Sequence, residues 1–181
     1  MGRRLTRSGF DVLYFRYPSW RGDLGKIAAE LREFVEQSGR ERVHLLGHSM
    51  GGVVIARMLA EGPSRRLGRI ALLGSPLRGS AVARSLARCR PGRFLLGPVA
   101  MEGIVQTFPD VSGSNDLLVI GGTFPLGSGL LFGLPRPHDG LIRTSETRVD
   151  GARCEFVRTS HMGLLFSREV MDMLCTHFSD L

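Results

Sequence analysis

One serine of this chain lies in a glycine-bearing pattern that could support nucleophilic catalysis. Ser49 is the centre of the run Gly-His-Ser-Met-Gly at residues 47–51, and the Gly-x-Ser-x-Gly pattern occurs once in the chain. By composition alone such a pattern would appear about 0.26 times in a chain of this length, so it is a weak signal by itself. Glycines two residues before and two residues after the serine would let a strand and a helix approach closely. A strained turn of this kind would project the serine hydroxyl as a nucleophile.

The sequence on either side of Ser49 supports this interpretation. Residues 42–46 predict a short strand, and residues 53–60 have the apolar spacing of a helix. Ser49 would therefore lie at a helix N-terminus, where free backbone N–H groups can stabilise a developing oxyanion. The N–H of Met50 is the candidate oxyanion donor. The competing interpretation is that residues 47–52 form only a tight turn between a strand and a helix.

Strand and helix patterns alternate along the whole chain. Short apolar, β-branched or aromatic runs predict strands, and apolar residues at helical spacing predict helices between them. The predicted strands are residues 12–17, 42–46, 69–73, 117–120 and 154–157, and the predicted helices follow Asp23 or cover residues 53–60, 82–89 and 165–178. This alternation predicts an α/β fold with a mostly parallel sheet and helices on both faces. Nothing in the sequence divides residues 1–181, so we expect a single domain.

Four segments of the chain resemble the lipase and esterase branch of the α/β-hydrolase superfamily. In chain order they are residues 43–52, the Leu-Gly-Ser-Pro-Leu-Arg-Gly-Ser run at 73–80, the His-Asp-Gly-Leu run at 138–141 and the Ser-His-Met-Gly-Leu run at 160–164. The second run is similar to the family's Gly-Thr-Pro-x-x-Gly-Ser segment. The resemblance extends from about Leu13 to the C-terminus. It implies an α/β-hydrolase fold and a catalytic triad of serine, histidine and acid.

A serine hydroxyl needs a histidine to accept its proton, and His161 is the candidate base. His161 follows the last predicted strand in a short loop, at the sheet edge where the carboxyl ends of the strands gather. The other histidines fit the role less well, because they lie within a strand, in the turn itself, beside the candidate acid or in the final helix: His44, His48, His138 and His177. The alternative for His161 is a histidine in a surface loop.

The histidine in turn needs a carboxylate that holds its tautomer and offsets its charge, and Asp139 is the candidate acid. Asp139 lies between the fourth and fifth predicted strands, which gives the chain order serine, acid, histidine that the resemblance implies. Asp116 and Asp150 each precede a strand, so we expect them at the opposite end of the sheet. Asp110 is the fallback. The alternative for Asp139 is a turn aspartate, because Asp-Gly is a common turn pair.

The sequence departs from the family pattern upstream of the first predicted strand. The family has a further strand there, and a His-Gly type loop after it supplies a second oxyanion donor. Residues 1–8 resemble only the end of the helix that comes next. We therefore expect an N-terminally shortened α/β-hydrolase. Three explanations are open: a start codon placed too late, a deliberate fragment, or a natural short relative that uses another oxyanion donor. Loss of one oxyanion donor typically costs roughly 100-fold to 1,000-fold in rate.

Composition argues against several other classes of function. The net charge is +7, but 23 of the 24 basic residues are scattered arginines, which argues against nucleic-acid binding. Apolar runs are too short for a transmembrane helix and no secretory signal is recognisable, so we expect a cytoplasmic protein. Cys89, Cys154 and Cys175 lack the paired spacing of a zinc site or a disulfide framework. The predicted chemistry needs no metal and no organic cofactor.

The leading hypothesis is hydrolysis of a carboxylic ester through an acyl-Ser49 intermediate, with His161 first as base and then as acid. Residues 94–108 and 124–134 are apolar and broken by Gly and Pro, so they could form a cap or pocket for a small ester or lipid-like substrate. Ordinary surface loops are the alternative for both segments. Acyl transfer and a non-catalytic binding role are the rival functions. The strand that is missing upstream would leave a sheet edge exposed, through which the chain could form oligomers.

Overall fold

Parallel strands form the centre of the molecule. The computed structural model describes residues 1–18, 22–62, 64–105, 117–127 and 133–179. In these residues one four-stranded sheet contains β1 (Val43–His48), β2 (Leu67–Leu73), β3 (Leu117–Gly122) and β4 (Arg153–Val157). The strand order is β1-β2-β3-β4, and each neighbouring pair is parallel. The predicted parallel α/β fold is therefore confirmed.

Helices connect the strands and cover the sheet. They are α1 (Gly2–Arg7), α2 (Leu24–Gln37), α3 (Met50–Ala60), α4 (Ala81–Leu86), α5 (Arg90–Val105), α6 (Thr144–Thr147), a 3-10 turn (Gly163–Leu165) and α7 (Arg168–Ser179). The helix predicted after Asp23 is α2, and the Asp23 carboxylate caps it by accepting a hydrogen bond from the N–H of Lys26 at 2.8 Å. Helix α3 begins at Met50, earlier than predicted, so Ser49 directly precedes its first turn.

Apolar side chains pack on both faces of the sheet. Leu72 and Val119 belong to the cluster under α2 and α3, whereas Leu73 and Ile120 belong to the cluster that includes Leu174 of α7. Successive residues of a strand point to opposite faces, which explains why Leu72 and its neighbour belong to different clusters. Every residue of β3 is buried, as expected for an inner strand of a parallel sheet. The sheet is thus a packed support for the loops at its edges.

The predicted strand at residues 12–17 is wrong. These residues adopt neither strand nor helix, and their apolar character is explained by side-chain packing instead. The ring of Phe15 lies 5.5 Å from that of Phe34 and 5.8 Å from that of Tyr17, and both Phe15 and Tyr17 pack against the core. A cavity of about 520 Å³ is lined by both this segment and β1. The segment is therefore held by its side chains, without a place in the sheet.

The helical region after β2 also differs from the prediction. The helix predicted at residues 82–89 ends at Leu86, and α5 then extends to residue 105 with a break at Gly97, whose φ is 71°. Most of the candidate cap segment 94–108 is therefore helical, and its last three residues lie outside the described ranges. In the second candidate segment, 124–134, the described residues form neither helix nor strand. A capping role for either segment stays a prediction.

Among the described strands, β1 has a neighbour on one side only. Main-chain groups alternate sides along a strand, and the N–H groups of Val43 and Ser49 donate to carbonyls on the β2 side. The main-chain groups of His44, Leu46 and His48 consequently point to the free edge. The cavity described above borders this edge.

We propose that the chain associates with a second copy through this edge, because unpaired strand edges are templates for pairing. Leu13 and Tyr14 line the neighbouring cavity and are 48% and 65% exposed. Leu13→Lys and Tyr14→Lys should therefore reduce the concentration-dependent association of the wild-type chain in sedimentation velocity. Phe94→Lys, which changes a 73% exposed side chain on α5, should leave it unchanged. A wild-type chain that sediments as a monodisperse monomer would contradict the proposal.

Candidate active site

Ser49 occupies a strained turn between β1 and α3. Its φ is 53° and its ψ is −120°, and it is the non-glycine residue with a positive φ among those described. Side chains other than glycine rarely adopt such values, and strain of this kind clusters at functional sites. The N–H of Ser49 donates to the carbonyl of Leu73 at 2.9 Å, so the end of β2 holds the turn in place. The geometry is that of the sharp strand-to-helix turn expected from the sequence.

Two glycines are required here by close approach of neighbouring atoms. A Cβ at Gly47 would lie 2.6 Å from the nitrogen of Gly52, and a Cβ at Gly52 would lie 2.0 Å from the Oγ of Ser75. The expectation for Gly47 is therefore confirmed. The expectation for Gly51 is wrong, because the nearest atom to a Cβ there would be the Tyr17 hydroxyl, at 3.9 Å. The tight position after the serine is Gly52, which faces β2 and the segment that follows it.

A buried hydrogen bond joins Asp139 to His161. The Nδ1 of His161 lies 2.7 Å from Oδ2 of Asp139, and the residues are 7% and 1% exposed. The other carboxylate oxygen, Oδ1, accepts hydrogen bonds from the N–H groups of Leu141 and Ile142 at 2.9 and 2.7 Å. An ionised Asp139 accepts from Nδ1–H, which leaves the Nε2 of His161 unprotonated in the neutral ring. That nitrogen is then available to accept a proton from another group.

These side chains gather at the carboxyl ends of the parallel strands. Ser49 directly follows β1, and His161 lies in the loop after β4, where its N–H donates to the Asp139 carbonyl at 2.8 Å. A Cβ at Gly122, the last residue of β3, would lie 2.7 Å from the Cβ of Asp139. A Cβ at Gly74, just past β2, would lie 3.1 Å from the Nδ1 of His161. All three candidate residues therefore border the same edge of the sheet.

Met50 is placed as the sequence predicts, at the first position of α3. The N–H groups of a first helical turn have no acceptor within the helix, so they can donate to an anion. The next N–H groups along the turn include that of Gly52, which donates to the Ser49 carbonyl at 3.1 Å. The assignment of Met50 as the oxyanion donor therefore stays a prediction.

The remaining candidate bases and acids have other contacts. The Nδ1 of His44 accepts from the N–H of Arg69, the Nδ1 of His138 accepts from the N–H of Gly140, and the Nε2 of His177 lies 3.1 Å from the carbonyl of Ile70. Asp150 pairs with Arg78 at 2.6 Å on the surface, and Asp110 and Asp116 lie outside the described residues. Between described residues, the aspartate-to-histidine hydrogen bond that the structure shows is the one that joins Asp139 and His161.

Sequence reasoning missed Glu146, which supports the loop that carries Asp139. Glu146 is 2% exposed and accepts hydrogen bonds from the N–H groups of Ala81 at 2.6 Å and Arg143 at 2.9 Å. It also pairs with the guanidinium of Arg143 at 3.1 Å. These bonds connect α6 to the start of α4. The available sequence signal was a glutamate in the first turn of a helix, which is common and points to no particular site.

His48 was also missed, because it was considered only as a base. Its Nε2 lies 3.0 Å from the carbonyl oxygen of His161, and the two rings are 4.7 Å apart. Its partner is 113 positions away in the sequence, so no local pattern indicates the contact.

The described residues contain no group of His, Cys, Asp and Glu side chains that could hold a metal ion. In the same residues, no helix is both long enough and apolar enough to cross a bilayer.

Comparisons with known proteins agree with this architecture. A family model described as alpha/beta hydrolase fold matches residues 10–116. The mature Bacillus licheniformis lipase BlEst2 superposes with a TM-score of 0.59 at 22% identity, over 84% of this chain and 73% of the lipase. The metagenomic carboxyl esterase MGS0156 gives 0.64 at 16% identity, over 82% of this chain and 54% of the esterase.

Other solved structures share the fold but carry different names. A bromoperoxidase from Bacillus anthracis superposes with a TM-score of 0.59 at 11% identity, over 91% of this chain and 77% of that protein. No curated protein sequence matches the chain. At these identities the structural likeness establishes the fold and leaves the reaction to be argued from the site.

Substitution of Gly74 tests whether the end of β2 shapes the site. Gly74 has a φ of 54°, and a Cβ there would lie 2.9 Å from Leu164 and 3.1 Å from His161. Gly39 has a φ of 70° with nothing within 4 Å, so Gly39→Ala reports the backbone cost alone. We expect Gly74→Ala to lower the free energy of unfolding by about 1–3 kcal/mol more than Gly39→Ala does in urea titrations. Equal losses would show that His161 and Leu164 do not pack tightly against this glycine.

Proposed function

Because the chain belongs to the α/β-hydrolase fold family, we propose that it hydrolyses carboxylic esters through an acyl intermediate on Ser49. The observation that carries the proposal is the buried hydrogen bond of 2.7 Å between Asp139 and His161, at the sheet edge where Ser49 sits in a strained turn. A nucleophile, a base and an oriented acid are the parts that acyl transfer to water requires.

The reaction begins with proton transfer from Ser49 to His161. The unprotonated Nε2 of His161 accepts the hydroxyl proton while Oγ of Ser49 bonds to the carbonyl carbon of the ester. The carbonyl oxygen becomes negatively charged, and the N–H of Met50 donates a hydrogen bond to it. Asp139 stays ionised and stabilises the imidazolium through Nδ1. His161 then gives the proton to the departing alcohol, which leaves an acyl group on Ser49.

Water completes the reaction as the second nucleophile, and Ser49 is now the leaving group. The Nε2 of His161 takes a proton from water as the water oxygen bonds to the acyl carbon. The second tetrahedral intermediate collapses, Oγ of Ser49 recovers its proton from His161, and the carboxylic acid leaves. Each proton that His161 accepts is passed on to the leaving group of the same half-reaction. The chain's own residues therefore suffice, and no metal or organic cofactor is needed.

Apolar side chains beside the site favour a substrate with an apolar acyl group. Phe124, Leu126 and Met162 are 43%, 63% and 58% exposed. The N–H of Phe124 donates to the carbonyl of Thr159 at 3.1 Å, so the loop after β3 lies against the loop that carries His161. Ligand sites are typically apolar with a few polar groups that orient the reacting part. Two of the structural neighbours are themselves named a lipase and a carboxyl esterase, which supports a small ester or lipid-like substrate.

Labelling with a fluorophosphonate tests the proposal, because this probe reacts with an activated serine. We expect wild-type chain to be labelled and Ser49→Ala to be unlabelled, with circular dichroism confirming that both fold. Ser75→Ala is the matched control, since Ser75 is buried beside the turn and its Oγ donates a long hydrogen bond to the Leu73 carbonyl, at 3.4 Å. This variant should keep its labelling. Absence of labelling in folded wild-type protein would contradict the proposal and favour a non-catalytic role.

A further inference from the structure

His48, the last residue of β1, joins this strand to the loop that carries His161. Its Nε2 lies 3.0 Å from the carbonyl oxygen of His161, and the ring planes are tilted by 44° with centroids 4.7 Å apart. A carbonyl oxygen only accepts hydrogen bonds, so the Nε2 of His48 carries a hydrogen and donates a hydrogen bond to this oxygen. The contact therefore fixes the donor nitrogen of His48 as well as its partner.

The surroundings of His48 favour its neutral form. Burial lowers the pKa of His48 below its ordinary value, and the neighbouring His161 lowers it further, while the hydrogen bond to the His161 carbonyl and the charge of Asp139 act in the opposite direction. A neutral histidine has one N–H, which the hydrogen bond places on Nε2. Near neutral pH His48 thus donates to His161 without adding a positive charge beside the base.

The hydrogen bond from His48 adds to two hydrogen bonds that hold His161 to Asp139. The N–H of His161 donates to the Asp139 carbonyl at 2.8 Å, and its Nδ1 lies 2.7 Å from the Asp139 carboxylate. Both of these bonds tie His161 to the loop of its own acid. The bond from His48 ties it to the last residue of β1, which Ser49 directly follows. This bond thus joins the backbone of the candidate base to the strand that precedes the candidate nucleophile.

We propose that His48 is a positioning residue, whose Nε2–H holds the His161 carbonyl and so keeps the His161 Nε2 where it can accept the Ser49 proton. The inference rests on the proposed role of His161 as the base. His48 touches neither substrate nor the reacting atoms. A misplacement of reacting groups by about 1 Å can cost on the order of 100-fold in rate, so a single positioning bond can have a large effect.

Three substitutions separate the donor from the ring. His48→Gln keeps an amide N–H the same number of bonds from Cβ as Nε2, whereas His48→Asn places it one bond closer, as Nδ1 is. His48→Phe keeps a ring against His161 and removes the donor. We expect kcat for p-nitrophenyl butyrate to fall about 10-fold to 100-fold in His48→Asn and His48→Phe, with KM changed less than about twofold. His48→Gln should recover most of the lost rate.

The pattern among the variants decides the proposal. If His48→Phe and His48→Asn turn over as fast as wild type, the bond has no positioning role. If His48→Gln is as slow as His48→Phe, an N–H donor at this distance does not restore the rate, which also overturns the proposal. A recovery specific to His48→Gln supports it, because a role in packing alone would favour the aromatic replacement.

A second measurement does not depend on activity. The N–H of His161 is bonded to the Asp139 carbonyl, so its hydrogen exchange reports how firmly the loop is held. We expect exchange of this amide to be about tenfold or more faster in His48→Phe and His48→Asn than in wild type, and restored in His48→Gln. If wild-type protein neither hydrolyses the ester nor takes the fluorophosphonate label, the proposed function fails. The exchange comparison then still decides the role of His48, and unchanged exchange in His48→Phe would overturn it.

Discussion

The buried hydrogen bond between Asp139 and His161 is the interaction on which the rest of the site depends. A carboxylate that is 1% exposed must be compensated by hydrogen bonds, because burial of an unpaired charge is strongly unfavourable. Asp139 has three such partners: the N–H groups of Leu141 and Ile142 on one oxygen, and Nδ1 of His161 on the other. The loop is therefore folded around the carboxylate. The position of the carboxylate then determines the tautomer and the direction of the histidine ring.

The parallel sheet makes this arrangement possible, because it brings the carboxyl ends of its strands to one edge. Residues far apart in the chain reach that edge from different strands, and each is fastened there separately. The Ser49 turn is bonded to β2 through the Leu73 carbonyl, and Glu146 fastens α6 to the start of α4. His48 links the turn to the loop after β4. The packed core below the edge limits how far any of these segments can move.

Local rules predicted the parts of the site that local chemistry determines. The turn around Ser49 and the strand and helix beside it follow from glycine placement and apolar periodicity. The choice of Asp139 and His161 used their position in loops after strands together with the chain order that the resemblance to α/β-hydrolases implies. The predicted strand at 12–17 was wrong because apolar and aromatic residues indicate burial and do not reveal whether a neighbouring strand exists to pair with. The sequence analysis expected the close approach at Gly51, whereas it occurs at Gly52, because the contact of Gly52 with Ser75 is tertiary. The contact of His48 with His161 is tertiary too, so the sequence did not indicate it.

The most direct test of this account is the protonation of the His161 ring, observed by nitrogen-15 NMR of the imidazole in the folded chain. The account predicts that the neutral ring carries its proton on Nδ1, held by Asp139, and that Asp139→Asn abolishes this preference. Such a result would mean that Nε2 is free to accept the Ser49 proton. A neutral His161 that carries its proton on Nε2 in the wild-type chain would contradict the account, because that ring could not act as the base.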